Sequence, residues 1–174
     1  MTVDPRRIHR LNDIPDTGGP VIYWMSRDQR VTDNWALLHA QQLALERRVP
    51  LAVVFTLADS FLGATLRQFG FMLRGLAQVA ARLHDLNIPF ILLQGNPPDE
   101  VCRFVRQQGV GTLVTDFDPL RIKRAWREEA ARGAGVACIE VMPTTSSPAG
   151  LHRRSWNTAP IPSVRRSGAC CRNS

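Results

Sequence analysis

Five short runs, largely apolar, divide the chain: VIYWM at 21–25, LAVVF at 51–55, FILL at 90–93, TLVT at 112–115 and ACIEV at 137–141. Each is rich in β-branched or aromatic residues and bounded by Gly, Pro or polar positions, which predicts buried strands. Between the runs, apolar residues recur at intervals of three and four. Trp35 to Arg48 carries Ala36, Leu37, Ala40, Leu43 and Ala44 behind an Asp33 or Asn34 cap, and Pro50 closes it. Thr65 to Leu86 predicts a long amphipathic helix through Leu66, Phe69, Met72, Leu73, Leu76, Val79, Ala80, Leu83 and Leu86. Within it, Phe69, Phe71 and Met72 read as core. Asp99 opens a short helix to Gln108, with Gly109 as its stop. Asp118 reads as an N-cap before Pro119, which starts a charged helix to about Gly133.

This β-α alternation, repeated four times and closed by a last strand, predicts an α/β fold: a five-stranded, doubly wound parallel sheet covered on both faces. Ligands of such sheets bind at the carboxyl ends of the strands. Here those ends are Ser26 to Arg30, Thr56 to Ser60, Gln94 to Pro97 and Asp116 to Leu120. The expected division is a polar lead-in over 1–19, the α/β domain over 20–141 and a tail over 142–174. The tail has four prolines, no acid and no apolar periodicity, so it is expected to be disordered.

Charge sharpens that boundary. The 174 residues carry 22 Lys+Arg against 15 Asp+Glu, a formal +7. Five of those arginines (Arg153, Arg154, Arg165, Arg166 and Arg172) lie in the tail, which leaves residues 1–141 with 17 basic against 15 acidic residues. A body so nearly neutral does not predict a strong nucleic-acid surface, and weak, non-specific binding through the tail is the most this balance supports. The N-terminus has no apolar h-region, no run is long enough to span a bilayer, and the four cysteines show no metal or disulfide spacing. A soluble, cytoplasmic, monomeric protein is expected.

No phosphate-loop, dinucleotide, zinc-protease or nucleophile-elbow motif is present. The densest polar cluster is SRDQRVTDN, Ser26 to Asn34, directly after the first strand. Two arginines and two aspartates at a strand end can orient a polar ligand. They serve equally well to cap the next helix and brace the loop, and spacing alone favours that structural role.

The wording of the sequence is more specific than its pattern. YWMSRDQRVTDNWALLHAQ, PLAVVFTL, RQFGFMLRGL, IPFILLQG and LVTDFDPLR, in this order, resemble the N-terminal domain of class II cyclobutane-pyrimidine-dimer photolyases over about residues 7 to 141. The resemblance implies a Rossmann-like domain that carries an antenna chromophore, a flavin or a deazaflavin-like molecule. It also implies a helical domain holding FAD and UV-damaged DNA, where light-excited reduced flavin donates an electron to the dimer, the ring splits and the electron returns. If a chromophore binds, the loops after the first, second and fourth strands offer Trp24, Met25, Ser26, Arg27, Phe55, Asp116 and Phe117, with Arg27 and Asp28 as polar anchors. No catalytic residue and no metal ligand is expected in this stretch. The alternative is a stand-alone chromophore- or nucleotide-binding module without catalysis.

After Val141 the sequence departs from the family, which continues Val-Asp-Ala-His-Asn and then opens its helical domain with an EY-x-A-x-TIR stretch. Ile161 to Arg166 can be encoded so that a one-base shift reads Thr-Ile-Arg-Pro-Lys, and the same shift permits Asp-Ala-His-Asn after Val141. A frameshift near residue 141 is therefore expected, leaving a chain inactive in repair by itself. A genuine basic linker is the competing explanation.

Overall fold

The computed structural model describes residues 2–143, so the expectation for the tail lies outside the described residues. Six strands form one sheet: β1 (Ile8–Arg10), β2 (Val21–Met25), β3 (Leu51–Leu57), β4 (Phe90–Gln94), β5 (Thr112–Asp116) and β6 (Ala137–Val141). Their order is β1-β6-β5-β2-β3-β4. The five strands from β2 to β6 pair in parallel, as the apolar runs predict. β1 is an addition: it runs antiparallel on the outer edge of β6, with Ile8 opposite Val141 and Arg10 opposite Ile139. Three residues with one apolar member carry no period to read. They pair because β6 would otherwise present an open edge.

Four helices cover the sheet: α1 (Trp35–Arg47), α2 (Leu66–Asp85), α3 (Pro97–Gln107) and α4 (Arg121–Gly133). α1 and α2 share one core with Val21, Tyr23, Met25, Val53 and Phe55. α3 and α4 pack on the other face against Ile22, Trp24, Val54 and Leu113. Alternate residues of one strand thus face opposite cores, which is why the runs read as continuous apolar stretches. The chain changes faces between β4 and β5, so the crevice between β2 and β5 is the topological switch point.

Local starts differ from the pattern in instructive ways. Asn34 caps α1: its side-chain oxygen accepts the Leu37 N–H at 2.9 Å, while Asp33 sits at φ 52. α4 begins at Arg121 rather than Pro119, because the Asp118 carboxylate accepts the Leu120 N–H at 3.1 Å and holds the chain extended for two more residues. α3 begins two residues before Asp99, at Pro97, whose missing N–H costs nothing in a first turn. Gly19 and Gly111 let two backbones touch: a Cβ on Gly111 would lie 2.5 Å from the Thr17 carbonyl oxygen.

α2 corrects the expected core. Leu76, Val79 and Leu83 are buried, but Leu66 and Phe71 are 88% and 76% exposed. The helix buries its C-terminal half and leaves much of its apolar N-terminal half at the surface. No helix among the described residues is long and apolar enough to cross a membrane.

Leu83→Ala, at a side chain with no exposure, should lower the unfolding free energy by about 2–5 kcal/mol in a urea titration. Leu66→Ala, in the same three-four pattern, should shift it by less than about 0.5 kcal/mol. Equal losses would contradict this division of the helix.

Candidate functional site

At the switch point the last residue of β5, Asp116, is 1% exposed. Its carboxylate accepts the backbone N–H groups of Ser26 at 3.1 Å, Arg27 at 2.8 Å and Asp28 at 2.6 Å. The Tyr23 hydroxyl, buried one pleat below, donates to the same carboxylate at 3.4 Å. Asn34 completes the brace, with its amide nitrogen within 3.0 Å of the Tyr23 hydroxyl and of the Asp28 and Arg30 carbonyl oxygens. Burial, with the nearby Asp28 charge, raises the Asp116 pKa to about 6, against the lowering effect of its N–H donors. Burial also pushes the Tyr23 phenol well up, so it stays protonated and keeps donating.

The loop held this way forms one wall of a cleft of about 370 Å³. Ser26, Arg27 and Gln29 come from that loop, Phe55 to Ala58 from the end of β3, and Phe69 and Met72 from α2. Phe61, from the loop after β3, and Trp126, from α4, close the far side, their ring centroids 5.9 Å apart and tilted by 48°. Asp118 and Lys123 are the charged groups on that side. Such a lining, aromatic with a few polar groups at its rim, suits a flat organic ligand. Among the described residues no group of three His, Cys, Asp or Glu side chains could hold a metal ion.

Of the residues expected to meet a ligand, Ser26, Arg27 and Phe55 line the cleft. Trp24 lies behind it, donating its indole N–H to the Thr56 hydroxyl at 3.2 Å. Asp116 is the brace beneath the loop, and the Asp28 carboxylate lies 3.8 Å from Arg30. Met25, 1% exposed, points into the core under α1 and α2. Phe117 lies under the Arg127 guanidinium at 5.6 Å, outside the cleft lining. Arg127 in turn pairs with buried Glu140 at 2.7 Å, fixing α4 over β6. The residues that sequence reasoning missed are Phe61, Ala64, Gln68, Phe69, Met72, Lys123 and Trp126. Phe69 and Met72 stand in the apolar repeat of α2, which sequence reasoning assigned wholly to the core, while nothing in the local spacing marks Phe61, Lys123 or Trp126.

Asp116 binds a proton more tightly in the fold, at about 6, than at its ordinary 3.8. The folded state therefore carries extra proton between those values, and stability falls as pH rises through them. Buried Glu140 is raised too and acts in the same direction. Asp116→Asn removes one of the two. The unfolding free energy at pH 4 minus that at pH 7, from urea titrations, should drop by about 2–3 kcal/mol in the variant. An unchanged difference would contradict the buried-carboxylate reading.

The family model for DNA photolyase matches residues 21–158. The deoxyribodipyrimidine photo-lyase of Arabidopsis thaliana is 47% identical over 137 residues, covering 76% of this chain and 28% of that protein. That of Potorous tridactylus is 53% identical over 113 residues, or 65% of this chain and 21% of that protein. The chain thus spans about a quarter of the length of these relatives. Among solved structures, a bacterial class III photolyase from Agrobacterium tumefaciens superposes with a TM-score of 0.58, at 24% identity over 71% of this chain and 26% of that one. A putative universal stress protein from Pseudomonas aeruginosa UCBPP-PA14 reaches 0.55 at 11% identity, over 78% of this chain and 51% of that one. These two likenesses concern the fold. With 138 matched residues of 174 and relatives at about half identity, the chain belongs to the DNA photolyase family.

Proposed function

We propose that this chain is the N-terminal domain of a class II photolyase, a light-driven enzyme that splits cyclobutane pyrimidine dimers. In this reading the domain's own part is to hold a planar antenna chromophore, a flavin or a deazaflavin-like molecule. The observation that carries it is the cleft at the switch point, walled by Phe55, Phe61, Phe69 and Trp126 and rimmed by Ser26, Arg27, Gln29 and Lys123. Aromatic rings stack on flat ligands and exclude water, and the few polar groups set the orientation. When bound, such a chromophore absorbs light and passes the excitation to the flavin of the repair site.

Ring splitting needs a flavin held against the lesion, because electron transfer and water exclusion depend on that contact. We assign that work, with FAD and damaged-DNA binding, to the length of the relatives that this chain does not span. Within the chain, residues 20–141 make the antenna domain and 1–19 lead into it; we read 142–174 as a tail out of frame, although the family match runs on to residue 158. The protein works as a cytoplasmic monomer, and its nucleic-acid affinity is weak, salt-dependent and due to the five tail arginines. Sequencing the DNA around codon 141 tests the frameshift directly.

Equilibrium dialysis of the 174-residue chain against FMN or 8-hydroxy-5-deazariboflavin should give saturable binding. Trp126→Ala should weaken it about tenfold, the loss of about 1.4 kcal/mol of ring contact. Blue light with FAD added should release no monomeric thymine from dimer-containing DNA. Absence of any binding would remove the antenna role, and dimer splitting by this chain would remove the division of labour.

A further inference from the structure

Lys123 is the only lysine in the chain. It stands half-buried in the first turn of α4, its ammonium 4.9 Å from the ring centroid of Phe61 and 4.9 Å from that of Trp126. Ring faces attract a cation but accept few of its protons. Among the described residues Nζ has neither a hydrogen-bond acceptor nor an ion-pair partner. Neither nearby carboxylate, Asp118 in the cleft lining or Asp116 beneath the loop, is within ion-pair distance of it. Asp118 takes the Leu120 N–H, while Asp116 takes three N–H groups of the loop after β2. Burial pulls the Lys123 pKa below its ordinary value, and these two carboxylates oppose that at a distance. Arg27, across the cleft, adds a second positive charge to the lining.

An ammonium stripped of part of its water, lodged between two rings and facing a cleft, lacks an anionic oxygen. We propose that Lys123 is the anion-recognition residue of this cleft and makes it selective for planar aromatic ligands carrying a negative charge. This rests on the cleft being the chromophore site. The anionic oxygen has two sources, a ring oxyanion or a phosphate on the side chain of the chromophore. Either would complete a charge-assisted hydrogen bond to Nζ that a neutral ligand leaves unmade. Lysine, a compact point charge, sets no planar geometry on its acceptor, so one residue serves both sources.

Two pairs of probes separate the sources. FMN and riboflavin share a ring and differ in the phosphate. 8-Hydroxy-5-deazariboflavin, measured above and below the ionisation of its ring hydroxyl, varies the ring charge alone. Riboflavin at the same two pH values corrects for titration of the protein, Asp116 included. With wild-type chain, at least one pair should favour the charged form by about tenfold or more. Lys123→Gln should bring that ratio to within about twofold while retaining binding of the neutral form, and Lys123→Arg should restore it. Acetic anhydride labelling of wild-type chain, read by peptide mapping, should show Lys123 protected by the charged probe and not by its neutral partner, which needs no variant to fold. Equal affinity for charged and neutral probes in both pairs, an unchanged ratio in Lys123→Gln, or equal labelling overturns the proposal and leaves the cleft as a chromophore site. Failure of every probe to bind overturns both.

Discussion

The Asp116 carboxylate accepts the main-chain N–H groups of Ser26, Arg27 and Asp28, and in doing so ties the end of β5 to the loop that leaves β2. These two strands are neighbours in the sheet but distant in the chain, and the chain changes faces between them. A doubly wound sheet always parts its loops at that place. Here the parting is pinned by one buried charge and by Tyr23 and Asn34 behind it. The loop gains a single shape, and its residues are delivered to the cleft without having to be ordered by a ligand, which lowers the entropic cost of binding.

That arrangement explains the dual character of the Ser26–Asn34 cluster. Asn34 and the main chain of Asp28 build the brace while Asp33 stays exposed, whereas Ser26, Arg27 and Gln29 line the cleft. The structural reading of the cluster is therefore present in its main chain and Asn34, and the side chains it leaves over line the cleft. The far wall obeys different physics. Phe61, Trp126 and Lys123 are held together by ring contact and cation–π attraction, and by α4 being anchored through Arg127 to Glu140.

The five parallel strands were legible as short apolar runs, buried on both faces in β2, β5 and β6, and the helices through the polar or three-four-spaced segments that the cap and stop residues bound between them. β1 was not, since three residues with one apolar side chain match no template and pair only for want of another partner on β6. Phe71 shows the reverse failure. It sits in an apolar helix yet is 76% exposed, because the repeat says which residues are apolar and not how far the sheet extends beneath them. The near wall of the site followed from strand ends alone. The far wall did not, because Phe61 and Trp126 meet only through the crossover of the sheet, which no local spacing encodes.

The proposed antenna role and the part assigned to Lys123 both require the chromophore to lie in the cleft. A crystal structure of the chain soaked with FMN locates the ligand directly. Density for the ring system between the loop after β2 and the Phe61–Trp126 wall is the predicted result. Density anywhere else on the α/β fold, with the cleft holding solvent alone, would contradict it.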